Sequence, residues 1–120
     1  MATVLVIDDE AAVRAVVRSA LCSAEYEVME ASNGRDGLAL FRQRRPDLVI
    51  ADIHMPELDG LDLIMELTRE FLNVKVIAIS GVSEHQRLLD AAKLLGVRQT
   101  LPKPFAIEEL LKAVRYELHH

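Results

Sequence analysis

Thr3-Val4-Leu5-Val6-Ile7-Asp8-Asp9 is a run of apolar and β-branched residues that ends on two adjacent carboxylates. Its apolar residues are consecutive rather than alternating. That pattern belongs to a central parallel strand covered on both faces. Similar runs stand at Glu27 to Ala31, Leu48 to Ala51 and Val74 to Ile79. A weaker one, Val97 to Leu101, leads into Pro102-Lys103-Pro104. Between the runs the spacing becomes helical. Val13, Val16, Val17, Ala20 and Leu21 form one apolar stripe, as do Leu88, Ala91, Ala92 and Leu95, and Ile107, Leu110, Leu111 and Val114. Leu61, Ile64, Leu67 and Phe71 make a looser stripe, and Leu38 to Phe41 mark the weakest helix.

The punctuation agrees. Ser83 with Gln86 forms a capping-box pattern, and Gly96 stands where that helix should stop. Ser32-Asn33-Gly34 and Asp59-Gly60 are turn signals ahead of two further helices. Strand and helix therefore alternate five times without linker or repeat, which predicts a parallel sheet with helices on both faces. The expected fold is α/β: a single doubly wound (βα)5 flavodoxin-like domain over residues 1–120, with a five-stranded sheet in the order 2-1-3-4-5.

Composition narrows the class. The 120 residues are 51% hydrophobic and 28% charged, which excludes disorder. Apolar runs are too short for a membrane span or a signal peptide, and the one cysteine, Cys22, cannot make an internal disulfide; a cytoplasmic protein is expected. Lys and Arg number 14 against 19 Asp and Glu, a net charge of −5, so direct nucleic-acid binding is not expected.

The polar residues that break the pattern share one location. Asp8 and Asp9 follow strand 1, Asp52 ends strand 3, Ser80 ends strand 4 and Lys103 follows strand 5. All lie at carboxyl ends of strands, where an open parallel sheet forms its ligand crevice. Clustered carboxylates repel, and a hard divalent cation relieves that; Mg²⁺ takes oxygen ligands and keeps waters that phosphate oxygens can replace. A further carboxylate can act as nucleophile toward phosphorus. Lys103, Ser80 and the metal can then balance the peripheral oxygens of a phosphoryl group. Taken singly, each residue has a plainer reading: an Asp pair as helix cap, a strand-end turn, a solvated lysine. Their convergence on one edge is what favours the chemistry.

At this point the chain resembles a response regulator receiver domain of two-component signalling, of the chemotaxis-regulator type, over essentially its whole length. The resemblance rests on Val4 to Asp9, on Asp47 to Pro56 with Asp59-Gly60, on Ser80-Gly81 and on Lys103-Pro104-Phe105. It implies that Asp52 is the phosphoacceptor and that Asp8, Asp9 and Asp52 hold Mg²⁺ with the His54 backbone carbonyl. It implies that Ser80 and Lys103 contact the phosphoryl group. The donor would be a phosphohistidine on a sensor histidine kinase or histidine phosphotransfer protein. The family also hydrolyses its aspartyl phosphate, so the chain would be a timed switch rather than a metabolic enzyme. Phosphorylation would alter the face built from the fourth helix, fifth strand and fifth helix, toward a downstream effector. The Lys103-Pro104 bond is a candidate for cis geometry.

One position departs from the pattern. Receivers often carry Tyr or Phe three residues before the lysine, and here Thr100 stands there. Two other functions compete. A haloacid-dehalogenase-type phosphohydrolase needs an acid two residues after its nucleophile, where this chain has His54. A non-phosphorylated receiver-like docking module usually lacks the acidic pair, the acceptor or the lysine, and all are present. His54, His85 and Cys22 by themselves suggest no metal or catalytic site.

Overall fold

In a computed structural model, which describes residues 1–53, 60–80 and 95–120, strands and helices alternate through Ser80 as the hydrophobic pattern predicts. The order is β1 (Thr3–Ile7), α1 (Ala11–Ser23), β2 (Glu27–Ala31), α2 (Gly34–Arg44), β3 (Leu48–Asp52), α3 (Gly60–Glu70), β4 (Val76–Ser80), β5 (Gln99–Pro102) and α4 (Ile107–His119). The helix expected around Leu88 to Leu95 lies mostly outside the described residues, as do its Ser83 cap and His54. All strand pairs are parallel, in the order β2-β1-β3-β4-β5.

Both faces of the sheet centre are covered, which is why β1, β3 and β4 read as unbroken apolar runs. Leu5, Ile7, Val49, Ala51 and Ala78 point to one side and pack with Leu38 and Phe41 of α2 and Leu63, Ile64 and Leu67 of α3. Val4, Val6, Ile50, Ile77, Ile79 and Leu101 point to the other, against Val17 and Leu21 of α1 and Leu110, Ala113 and Val114 of α4. Each large aliphatic side chain so buried is worth about 1.5–3 kcal/mol, so the two layers hold the sheet edge rigidly.

Local chemistry sets the ends of the elements. The Asn33 side chain accepts from the Asp36 N–H at 2.8 Å, an N-cap for the helix with the weakest sequence signal. The Glu109 carboxylate accepts from the Ala106 N–H at 3.0 Å at the start of α4. Gly96 takes φ 100°, the left-handed conformation expected of a helix stop. Lys103-Pro104 is cis.

Some boundaries differ from the expectation. β4 begins at Val76 rather than Val74, because its ladder with β3 starts at the Val49–Val76 pair. β5 begins at Gln99 rather than Val97, because pairing with β4 starts at Ile77–Gln99; Val97 is buried without joining the ladder. Val16, read as part of the buried stripe of α1, is 53% exposed. Cys22 lies on α1 but is exposed, outside the core.

Candidate functional site

The parallel register brings four strand ends together. Asp8 follows β1, while Asp52 and Ser80 are the last residues of β3 and β4. All three are buried, and Lys103 follows directly on β5. The Lys103 N–H donates to the Ser80 carbonyl at 2.7 Å, and the Ile53 N–H to the Ile79 carbonyl at 3.0 Å. These main-chain bonds extend the sheet past its last ladder pairs and fix where the polar side chains begin.

Asp8 is held from two sides. Its Oδ1 accepts from the Glu10 N–H at 2.8 Å, and its carbonyl accepts from the Arg14 guanidinium at 2.6 Å. Oδ2 is buried and lies 2.9 Å from Lys103 Nζ, but without the alignment of a hydrogen bond. Lys103 Nζ also donates to Asp52 Oδ2 at 2.9 Å and to Glu10 Oε1 at 3.0 Å. One ammonium thus serves three carboxylates. The exposed Asp9 completes the group: Asp8, Asp9, Glu10 and Asp52 each offer an oxygen, all within 4.8 Å of one another.

The electrostatics follow from this crowding. Burial pushes the Asp8 carboxyl above its ordinary pKa; the Glu10 N–H and Lys103 oppose the shift, and the Asp52 charge adds to it. Burial alone would lower the Lys103 pKa, but its contacts with Asp52, Asp8 and Glu10 outweigh this and raise it above the ordinary lysine value. The pocket carries more negative than positive charge.

Ser80 is fully buried, and its Oγ has no hydrogen-bond partner among the described residues. A buried hydroxyl costs stability unless a partner employs it. Asp8, Asp9, Asp52, Ser80 and Lys103, all expected from sequence, therefore stand at one edge. His54 lies outside the described residues. Glu10 was not expected there. The signal was present, since it directly follows the Asp pair and makes a run of three acids.

A response regulator receiver domain model matches residues 4–115. The chain belongs to this family. The receiver domain is a signalling domain of two-component response regulators. Response regulator MprA of Mycolicibacterium vanbaalenii is 44% identical over 115 residues, covering 93% of this chain and 48% of MprA. The chain thus spans about half the length of that relative. Chemotaxis protein CheY of Thermotoga maritima is 34% identical over 112 residues, 92% of each chain. The solved receiver domain of NtrX from Brucella abortus superimposes with a TM-score of 0.92 at 30% identity, covering 97% of this chain and 98% of that one. Receiver domains bind Mg²⁺ at an acidic pocket, and the residues here suit it: four carboxylates are oxygen donors of the kind Mg²⁺ takes, and Asp8 Oδ2 is buried without an aligned donor. Among the described residues, no helix of this receiver domain is long and apolar enough to cross a membrane.

Proposed function

We propose that the chain, one receiver domain over residues 1–120, is a phosphoacceptor switch in which Asp52 takes a phosphoryl group from a phosphohistidine. The donor is a sensor histidine kinase or a histidine phosphotransfer protein, met in the cytoplasm. An Asp52 oxygen attacks phosphorus as the phosphorus–nitrogen bond breaks. The departing imidazole nitrogen keeps that bond's electron pair and later takes a proton from water. The observation that carries this reading is the buried Asp52 carboxylate, hydrogen-bonded to Lys103 Nζ at 2.9 Å and grouped with Asp8 and Asp9.

Asp8, Asp9 and Asp52, with the His54 backbone carbonyl implied by the family, would hold Mg²⁺, whose charge offsets that of the phosphoryl oxygens when bound. Lys103 turns its ammonium from the Asp52 carboxylate to a phosphoryl oxygen, and the Ser80 hydroxyl donates to another. Water later attacks the phosphorus and returns Asp52 to its free form, so the domain times its own signal. An apolar groove of about 390 Å³, lined by Ala12, Val13, Val16, Pro104 and Phe105 beside Lys103, offers the donor protein a surface next to Asp52. The effector that reads the switch would engage the face that includes β5 and α4.

Acetyl phosphate with Mg²⁺, followed by intact mass measurement, tests the assignment. One added phosphoryl group is expected on the wild-type chain and none on Asp52→Asn, since an amide is not a comparable nucleophile. Equal labelling of the Asn variant would refute Asp52 as the acceptor. A chain that resists labelling altogether would be a docking module instead.

A further inference from the structure

Glu10 stands at the N-cap position of α1, yet its side chain makes no capping hydrogen bond. Its carboxylate turns instead to Lys103 Nζ at 3.0 Å. The three carboxylates on that ammonium differ in freedom. The Asp8 and Asp52 side chains are short and only 2% and 6% exposed, whereas the longer Glu10 side chain is 60% exposed. The Lys103 main chain is pinned to Ser80, but its flexible four-carbon stem leaves the ammonium able to swing.

That difference matters once a dication enters. The ammonium stands between Asp8 and Asp52, 2.9 Å from an oxygen of each. Mg²⁺ on those same carboxylates and an ammonium between them would repel. The buried aspartates cannot follow the lysine outward; Glu10 can. We propose that Glu10 is a positioning residue that receives the Lys103 ammonium when Mg²⁺ occupies Asp8 and Asp52, keeping it at the pocket rim for the incoming phosphoryl group. This rests on the Mg²⁺ site proposed above. Glu10 acts through Lys103 and not as a metal ligand.

Calorimetry of Mg²⁺ binding to wild type, Glu10→Gln, Lys103→Met and the double variant tests it. Glu10→Gln should weaken Mg²⁺ binding about two- to fivefold, the scale of an exposed ion pair. In the Lys103→Met background the same change should have less than half that effect. An equal factor in both backgrounds, or no effect in either, overturns the proposal while leaving the Mg²⁺ site standing. Absence of any Mg²⁺ heat with wild type overturns both. Should Lys103→Met not fold, the Lys103 side-chain resonances decide. After Mg²⁺ addition its ammonium protons should stay protected from water exchange in wild type and lose that protection in Glu10→Gln. Equal exchange in the two proteins overturns the proposal.

Discussion

Lys103 Nζ lies 2.9 Å from Asp52 Oδ2, so the cation that would read the phosphoryl charge is already bound to its acceptor. The contact has two consequences. Lys103→Met leaves the Asp8, Glu10 and Asp52 carboxylates facing one another without their shared cation. Breaking a fully buried pair costs about 3–5 kcal/mol; with the lysine 14% exposed, a loss of about 2 kcal/mol is expected. Urea denaturation in metal-free buffer measures it, and Mg²⁺ should restore much of the loss. Asp52 should still accept a phosphoryl group in this variant, but the amide shift at Ser80 should no longer follow. Normal stability and normal shifts would show that the cluster does not depend on Lys103.

The raised pKa of Asp8 makes a prediction about pH. Between the ordinary carboxylate pKa and the raised value, the folded chain binds more protons at Asp8 than the unfolded chain does. This group's contribution is therefore full below the unfolded pKa and is lost as pH rises through the folded one. Lys103, also raised, contributes fully at neutral pH and loses its share only in strong alkali. Asp8→Asn abolishes the Asp8 titration. Its Tm advantage over wild type in metal-free buffer should grow as pH rises through that window and then level off. A difference independent of pH would disprove the assignment.

Gly37 of α2 packs directly against Ile7 of β1. A Cβ there would meet Ile7 Cγ1 at 2.8 Å. Gly37→Ala gains about 1 kcal/mol of helix propensity. Overpacking costs about 1–3 kcal/mol, and Ile7, only 1% exposed in the core, has little room to yield. A net loss near 1 kcal/mol is expected in urea. Weaker Mg²⁺ binding should accompany it, because Ile7 directly precedes Asp8. A more stable variant would show that Ile7 can move aside.

These residues mark where sequence reading succeeds and where it stops. Val4 to Ile7 announces a doubly covered strand because burial on both faces removes alternation, and from three such runs, at Val4, Leu48 and Val76, the sheet edge with Asp8, Asp52 and Ser80 follows. The close fit of Gly37 on Ile7 depends on the distance between two layers, which no pattern records. Val16 is exposed in a groove that it lines with Ile107 and Leu111 of α4, a spacing between two helices that its own periodicity could not decide. Glu117 is a different case. It lies seven residues after Leu110 on the buried stripe of α4, is 2% exposed, and its Oε2 accepts from Gln99 Nε2 at 2.7 Å. Its position was periodic but its charge disguised it.

Thr100 bears on how the proposed switch would reach the far side of the sheet. Gln99 and Leu101 line a groove of about 510 Å³ with Glu109, Lys112, Ala113 and Tyr116 of α4. By strand alternation Thr100, paired with Ala78, faces the opposite layer. An aromatic there could change its burial as Ser80 engages the phosphoryl group, and such burial is worth about 1.5–3 kcal/mol. Thr100 lacks that lever, so the phosphorylated conformation would be less favoured unless a partner surface supplied the difference. Beryllofluoride, a phosphoryl mimic, should therefore shift amides at Ser80 and in the segment after it while changing β5 and α4 only slightly. Thr100→Tyr should enlarge the response at Gln99, Leu101 and Tyr116. Amide spectra of both proteins with and without beryllofluoride give the comparison. A large response at those positions with Thr100 in place would mean that another residue carries the signal across β5.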